Sequence, residues 1–113
     1  MSAAESVLDL DQLHAAFGEI DDDVREMMHL FVATTAPMLD ALDDDVAVRD
    51  RTTVEDRAHS AKGAARSAGA GAMAAACEAL ELAARAGDWV EIELRLAAVR
   101  PAFEAAKQAI ADL

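Results

Sequence analysis

The apolar residues of this chain recur at intervals of three and four positions, the spacing of one buried face of an α-helix. Alanine, the strongest helix former, supplies 29 of the 113 residues, whereas Gly and Pro together supply 7. This composition predicts an all-α fold and argues against a β-rich domain. The longest apolar series consists of Val24, Met27, Met28, Phe31, Met38, Leu39, Leu42 and Val46.

Capping residues and helix-ending glycines divide the chain into five segments. The acidic cluster 21–23 and Asp88 are expected to cap the second and fifth helices, and Gly18, Gly69 and Gly87 to end the first, third and fourth. Thr52 and Glu55 match a capping box at the start of the third helix, and Pro37 and Pro101 are expected to kink the second and fifth. One short and four long helices on short turns predict an up-down four-helix bundle forming one domain, residues 1–113. The predicted helices run from Asp9 or Asp11 to Phe17, from the acidic cluster 21–23 to the turn at Val48–Arg51, from about Thr52 to Ala68, from about Ala72 to Ala86, and from Asp88 to about Ala111.

The net charge of −12 excludes several classes of partner. Nucleic acid and anionic membranes both favour clustered Lys and Arg, so neither is expected to bind a chain with this excess of acidic residues. The same charge opposes self-association and predicts a monomer. Cys77 is the only cysteine, and residues 1–10 do not resemble a secretory signal, so a cytoplasmic location is expected. No His, Cys or Asp spacing suggests a metal site.

The segment around His59 carries the chemistry that the sequence suggests. On a helix with about 100° per residue, the apolar positions of the third helix fall within roughly 80° of one another. His59 lies roughly 135° from the centre of that face, on the same side as Glu55, Lys62, Gly63 and Arg66. The helical wheel therefore places His59 in solvent, with the cations Lys62 and Arg66 on the same side of the helix. The core face consists of Val54, Ala58, Ala61, Ala65 and Ala68.

This arrangement suits an imidazole that accepts a phosphoryl group. A neutral imidazole is a competent nucleophile at neutral pH. Lys62, one turn further along, is expected to contact the phosphoryl oxygens, and Arg66 to add a favourable field. Gly63 leaves room for a bulky partner. His14 and His29 have no such neighbours and are expected to be surface or boundary residues.

The fourth helix offers two further polar residues. Met73, Cys77, Leu80 and Ala84 form its core stripe, with Glu81 and Arg85 at the flank. If the third and fourth helices pack antiparallel, Glu81 or Arg85 can reach the imidazole. The alternative is that the two form an ordinary i,i+4 salt bridge.

These motifs together resemble the histidine-containing phosphotransfer (HPt) domain, over nearly the whole chain. The resemblance implies a four-helix bundle whose exposed His59 takes phosphate from an aspartyl phosphate and passes it on. It further implies that Lys62 is the phosphate-side cation, that Gly63 provides clearance, and that Glu81 and Arg85 lie near the imidazole. The matching residues are His59-Ser60-Ala61-Lys62-Gly63, then Gly69-Ala70, Cys77-Glu78-Ala79-Leu80-Glu81 and Arg85-Ala86-Gly87-Asp88.

The resemblance also indicates partners. They are receiver domains of response regulators and a hybrid or sensor histidine kinase, with Mg²⁺ held by the receiver and no cofactor on this chain. No nucleotide-binding loop is present in the sequence, so a phosphocarrier rather than an ATP-dependent enzyme is expected. The first helix either caps the bundle or docks a receiver through Leu13 and Phe17. A second hypothesis is a helical adaptor that sequesters a receiver or kinase, with His59 incidental.

Overall fold

A computed structural model describes residues 6–113, which contain five α-helices joined by short turns. Helix α2 contacts α3 and α5, and α4 contacts the same two, so four helices close a ring around the core. The predicted all-α bundle with a short N-terminal helix is confirmed. The helices are α1 (Leu10–Phe17), α2 (Asp22–Ala47), α3 (Arg51–Ser67), α4 (Gly71–Ala86) and α5 (Trp89–Ala111). The expected lack of a secretory signal concerns residues 1–10, of which 1–5 lie outside the described residues.

Aspartate side chains begin four of the five helices. The carboxylates of Asp9, Asp21, Asp50 and Asp88 each accept the backbone N–H three residues further along. The capping box predicted at Thr52 is therefore wrong, because Asp50 caps α3 two residues earlier. Asp50 accepts both the N–H and the hydroxyl of Thr53, and its negative charge also suits the positive end of the helix dipole.

Glycines end α1, α3 and α4 as predicted, and Gly69 also fixes α1 against the bundle. Gly69 has a φ of +74°, a left-handed conformation that favours glycine. Its carbonyl accepts the N–H of Asp9 at 2.8 Å, and a Cβ at Gly69 would lie 3.3 Å from the Asp9 carbonyl oxygen. The start of α1 is thus held directly to the end of α3.

The core consists of a large cluster inside the bundle and a smaller one beneath α1. All the predicted core residues of α3 and α4 are buried, including Cys77. On α2 the prediction is wrong for Met27, which is 49% exposed, because this residue lies at the edge of the apolar stripe. Both α2 and α5 continue through Pro37 and Pro101. The smaller cluster comprises Leu13, Val24, Met28, Ala68 and Ile110.

Ion pairs cross between helices on the outside of the bundle. Arg57 of α3 pairs with Asp45 of α2, and Arg100 of α5 pairs with Asp40 and Asp43 of α2. The hydrogen bond to Asp43 raises the pKa of the Arg100 guanidinium. No helix within residues 6–113 has the length and apolarity needed to cross a membrane.

Candidate functional site

His59 lies on the outer surface of α3, as the helical wheel predicts. Its side chain is 67% exposed, whereas Ala58 and Ala61 on the opposite face are completely buried. Gly63, one turn further along, leaves open space beside the ring, since an added Cβ would meet nothing within 4 Å. A partner can therefore approach the imidazole over Gly63 without displacing any side chain.

Helix α4 supplies a buried carboxylate to the exposed ring. Glu81 is only 4% exposed, and its Oε2 lies 2.9 Å from His59 Nδ1. The contact forms because α3 and α4 run antiparallel and are lined by alanine, which allows close approach. The sequence left open whether Glu81 reaches the imidazole, and the structure brings the two together.

Lys62 does not lie free beside the imidazole. Its Nζ is 2.6 Å from Glu81 Oε1, and its side chain is only 12% exposed. Lys62 lies on the same side of α3 as His59, as the helical wheel predicts, but its ammonium pairs with Glu81 instead of being free for a phosphoryl group. The physical reason is that a buried carboxylate requires a nearby opposite charge, and Lys62 is the cation that α3 offers there.

The electrostatics of Glu81 determine which ring nitrogen of His59 is free. Burial alone would raise the pKa of Glu81, but hydrogen bonds to Lys62 and His59, together with their charges, outweigh it and lower the pKa. Glu81 is therefore ionised at neutral pH and can only accept hydrogen bonds. His59 Nδ1 must then carry the hydrogen, and in the neutral ring Nε2 keeps its lone pair towards solvent.

Arg85 and Glu55 extend this cluster. Arg85 donates to Glu81 Oε2 at 3.2 Å and through Nε to Glu55 Oε2 at 3.0 Å. The hydrogen bond to Glu55 raises the pKa of Arg85. The pair formed by Glu81 and Arg85 is thus an i,i+4 salt bridge, but it is also part of a larger network. Arg85 reaches Glu81 and not the ring of His59.

The other predicted polar residues lie apart from the cluster. Arg66 pairs with Glu78 at 3.6 Å, with its side chain 58% exposed. His14 Nδ1 hydrogen-bonds to the carbonyl of Gly18 at 2.8 Å, and His29 is exposed on α2. His14 therefore closes the end of α1, a role that the sequence did not indicate.

An apolar groove lies between α1, α2 and the C-terminal end of α3. Its volume is about 330 Å³, and Ser67 of α3 contributes to its wall two turns after His59. Three exposed apolar residues line it: Phe17, Met27 and Leu30. The sequence analysis missed Leu30 as a surface residue, although it lies about 120° from the centre of the apolar α2 stripe on a helical wheel.

Leu13 is not part of this exposed surface. It is completely buried, packed with Val24 and Met28. The prediction that Leu13 docks a partner is therefore wrong for the chain as folded, because α1 turns this residue towards the bundle. Phe17, one turn later and 42% exposed, remains available.

No group of three or more His, Cys, Asp or Glu residues within 6–113 is arranged to hold a metal ion. Cys77 is completely buried, and burial raises the pKa of its thiol to about 12. The thiol is consequently protonated at neutral pH and unsuited to nucleophilic chemistry.

Comparison with known proteins agrees with this site. The family model described as the Hpt domain matches residues 26–112, from the first turns of α2 to the end of α5. No curated protein and no solved structure gave a significant match. The matched range contains His59 and every residue of its charged cluster. The chain therefore belongs to the Hpt domain family, whose members perform histidine phosphotransfer in phosphorelays.

Proposed function

We propose that His59 is the phosphoacceptor of a phosphocarrier, which takes a phosphoryl group from the aspartyl phosphate of a receiver domain and passes it to a response regulator. Family membership supports phosphotransfer as such. The observation that carries the assignment is the hydrogen bond from His59 Nδ1 to Glu81, made by a ring that is still 67% exposed. The hydrogen bond keeps the hydrogen on Nδ1, and the exposure of the ring leaves Nε2 accessible to a partner.

The transfer step follows from that geometry. The Nε2 lone pair of His59 attacks phosphorus, and an N–P bond forms as the P–O bond to the aspartyl carboxylate breaks. The bonding electron pair leaves with the receiver's carboxylate. The ring keeps its Nδ1 hydrogen, and its new positive charge lies beside the ionised Glu81. Transfer to the next receiver is the reverse reaction on a different aspartate.

The cations near His59 have different parts in this proposal. Lys62 neutralises Glu81 and so keeps the carboxylate ionised in a buried position. Its role as a phosphate-side cation stays a prediction, and it requires the ammonium to leave Glu81 as the phosphoryl group arrives. Arg66 and Arg85 are each 58% exposed, so either can approach a phosphoryl group from the edge of the site.

The groove formed around Phe17, Met27 and Leu30 is the proposed receiver-docking surface. Ala64 and Ser67 of α3 line it, one to two turns after His59, and an added Cβ at Gly63, which precedes them in the sequence, would meet nothing within 4 Å. Exposed apolar residues grouped in this way are typical of protein interaction sites. Phe17 keeps the docking role predicted from the sequence, and Met27 and Leu30 join it.

Mixing the protein with a phosphorylated receiver tests the function. We expect an acid-labile, base-stable phosphoprotein, and none with the His59→Gln variant. Because His59 is exposed and Arg85 still donates to Glu81 Oε2 in its absence, the free energy of unfolding of this variant should stay within about 0.5 kcal/mol of the wild-type value. Phosphate retained by His59→Gln, on His14 or His29, would refute the assignment. Tight binding of a receiver without transfer would favour the alternative, a helical adaptor that sequesters its partner.

We further propose that the chain acts as a cytoplasmic monomer, receiving phosphate through a hybrid or sensor histidine kinase. The net charge of −12 opposes self-association. Sedimentation at micromolar concentration should give the mass of a single chain of 11.9 kDa. A stable dimer would contradict this part of the proposal and leave the phosphoacceptor assignment to be decided by the transfer assay.

A further inference from the structure

Arg85 is shared between two carboxylates that belong to different helices. Its Nε donates to Glu55 Oε2 at 3.0 Å, and a terminal nitrogen donates to Glu81 Oε2 at 3.2 Å. Glu55 lies one helical turn before His59 on α3, with its side chain 26% exposed. Arg51 lies 3.7 Å from the other oxygen of Glu55. The transfer chemistry proposed above does not use Glu55.

Two donors consequently share Glu81 Oε2. His59 Nδ1 lies 2.9 Å away and Arg85 3.2 Å, while Lys62 occupies Oε1. Arg85 is a strong competitor, because Glu81 precedes it by four residues, the favourable order for an i,i+4 pair. Its guanidinium is also a planar fork that binds a carboxylate through two N–H groups. Glu55 holds Nε, one arm of that fork, so the edge formed by Nε and this terminal nitrogen cannot make a two-armed contact with Glu81 alone.

We propose that Glu55 is a positioning residue for His59 and acts through Arg85. By retaining Arg85 Nε, Glu55 keeps Glu81 Oε2 available to His59 Nδ1, and the ring stays in the Nδ1–H form with Nε2 free. The inference rests on the proposed function of His59 and adds a residue that tunes the same site. It assigns a specific consequence to the loss of Glu55: Arg85 turns towards Glu81, and the hydrogen bond from His59 weakens.

The test compares Glu55→Ala with Asp56→Ala. Both variants remove one carboxylate from α3 and introduce the best helix former, but Asp56 makes no ion pair among the described residues. The readouts are the ¹⁵N chemical shifts of the His59 ring, which give the fraction of the Nδ1–H tautomer, and the rate of transfer from a phosphorylated receiver. We expect Glu55→Ala to lower that fraction and slow transfer by about tenfold, as for coupled residues in one network. Asp56→Ala should change neither.

A double-variant cycle separates this role from a merely structural one. Arg85→Gln replaces the charged guanidinium by a shorter, neutral amide and so weakens the competing donor, and its Nδ1–H fraction should equal or exceed that of the wild type. Adding Glu55→Ala to Arg85→Gln should then change neither the tautomer fraction nor the transfer rate of that background. If Glu55→Ala acted only by destabilising α3, its effect would persist in the Arg85→Gln background. Thermal melts of all variants measure any such loss of stability.

Two outcomes overturn the proposal. One is a Glu55→Ala variant whose tautomer fraction matches that of Asp56→Ala. The other is an effect of Glu55→Ala that persists unchanged in the Arg85→Gln background. If the wild-type protein accepts no phosphate at all, the proposed function fails instead, and the ¹⁵N shifts still decide whether Glu55 positions His59.

Discussion

The ammonium group of Lys62 lies 2.6 Å from Glu81 Oε1, and the two side chains are only 12% and 5% exposed. This ion pair joins α3 to α4 directly beneath the exposed imidazole of His59. Its two partners depend on each other, because either one alone would be a largely buried charge without a counter-ion. The pair therefore links the stability of the bundle to the geometry of the phosphoacceptor.

Lowering the pH should reduce the free energy of unfolding, in part because the Glu81 carboxylate becomes protonated. A carboxyl group whose pKa is lowered on folding contributes stability above its unfolded value of 4.5 and loses it as the pH falls through the folded value. We therefore expect the wild type to lose more stability than Glu81→Gln when the pH falls from about 6 to about 3. Thermal or urea unfolding at a series of pH values measures how the stability of each protein depends on pH.

Glu78→Gln is the matched control for this experiment. Glu78 lies on the same helix, and its pair with Arg66 is 3.6 Å long with both side chains about half exposed. Such surface pairs contribute about 0–1 kcal/mol, so this variant should follow the wild-type pH profile. A Glu81→Gln profile parallel to the wild type would mean that the ion pair with Lys62 makes no net contribution.

The sequence predicted the helices well because their ends carry local signals. Asp21 and Asp88 cap helices as expected, and Gly18, Gly69 and Gly87 end them. Such caps depend on hydrogen bonds within a few residues, so the sequence nearby is sufficient. The error at Thr52 has the same origin, since two acceptable caps stand close together and only the path of the turn from α2 selects Asp50.

The site was less predictable because its contacts join different helices. The wheel placed His59 in solvent correctly, but it could not show that Lys62 turns towards α4, since that depends on where Glu81 lies along α3. The burial of Leu13 and the exposure of Met27 likewise depend on how α1 packs against α2 and α3. Periodicity identifies an apolar face, whereas packing decides which residues at its edge are covered.

The docking surface can be tested with a pair of exposed leucines. Leu30 in the groove is 62% exposed, and Leu94 on α5 is 59% exposed. Leu30→Ser should weaken receiver binding by about tenfold, since burying the exposed part of this leucine contributes about 1–2 kcal/mol. Leu94→Ser should leave binding unchanged, and neither variant should alter the melting temperature greatly. Equal binding by both variants would exclude Leu30 from the interface.

Replacing a buried hydroxyl on α2 with a methyl group should stabilise the protein. Thr35 is 1% exposed, and its Oγ1 has no hydrogen-bond partner among residues 6–113. Thr35→Val keeps the shape and removes the unsatisfied group, so the free energy of unfolding should rise by about 1 kcal/mol. In the control Thr34→Val, an exposed hydroxyl that donates to the Leu30 carbonyl at 2.9 Å is lost, and stability should change by less than about 0.5 kcal/mol. A less stable Thr35→Val variant would show that the hydroxyl is satisfied in solution.

Gly63 is predicted to be retained for the site rather than for the fold. A glycine inside a helix costs roughly 1 kcal/mol relative to alanine, and at Gly63 an added Cβ meets nothing within 4 Å. Gly63→Ala should therefore raise the melting temperature. If the open space beside His59 admits the receiver, the same variant should slow phosphotransfer, and Gly63→Gln should slow it far more while the bundle stays folded.

The effects of the Gly63 variants on stability and on transfer rate distinguish a glycine that gives the partner room from one that is present by chance. A glycine kept by drift alone would give Gly63→Ala and Gly63→Gln variants that are both more stable and equally active. A glycine kept for the approach of a partner gives variants that are more stable and less active, as expected where function limits stability. Transfer rates from a phosphorylated receiver, measured with thermal melts of the same samples, distinguish the two. Unchanged transfer by Gly63→Gln would remove this face of α3 from the proposed docking surface.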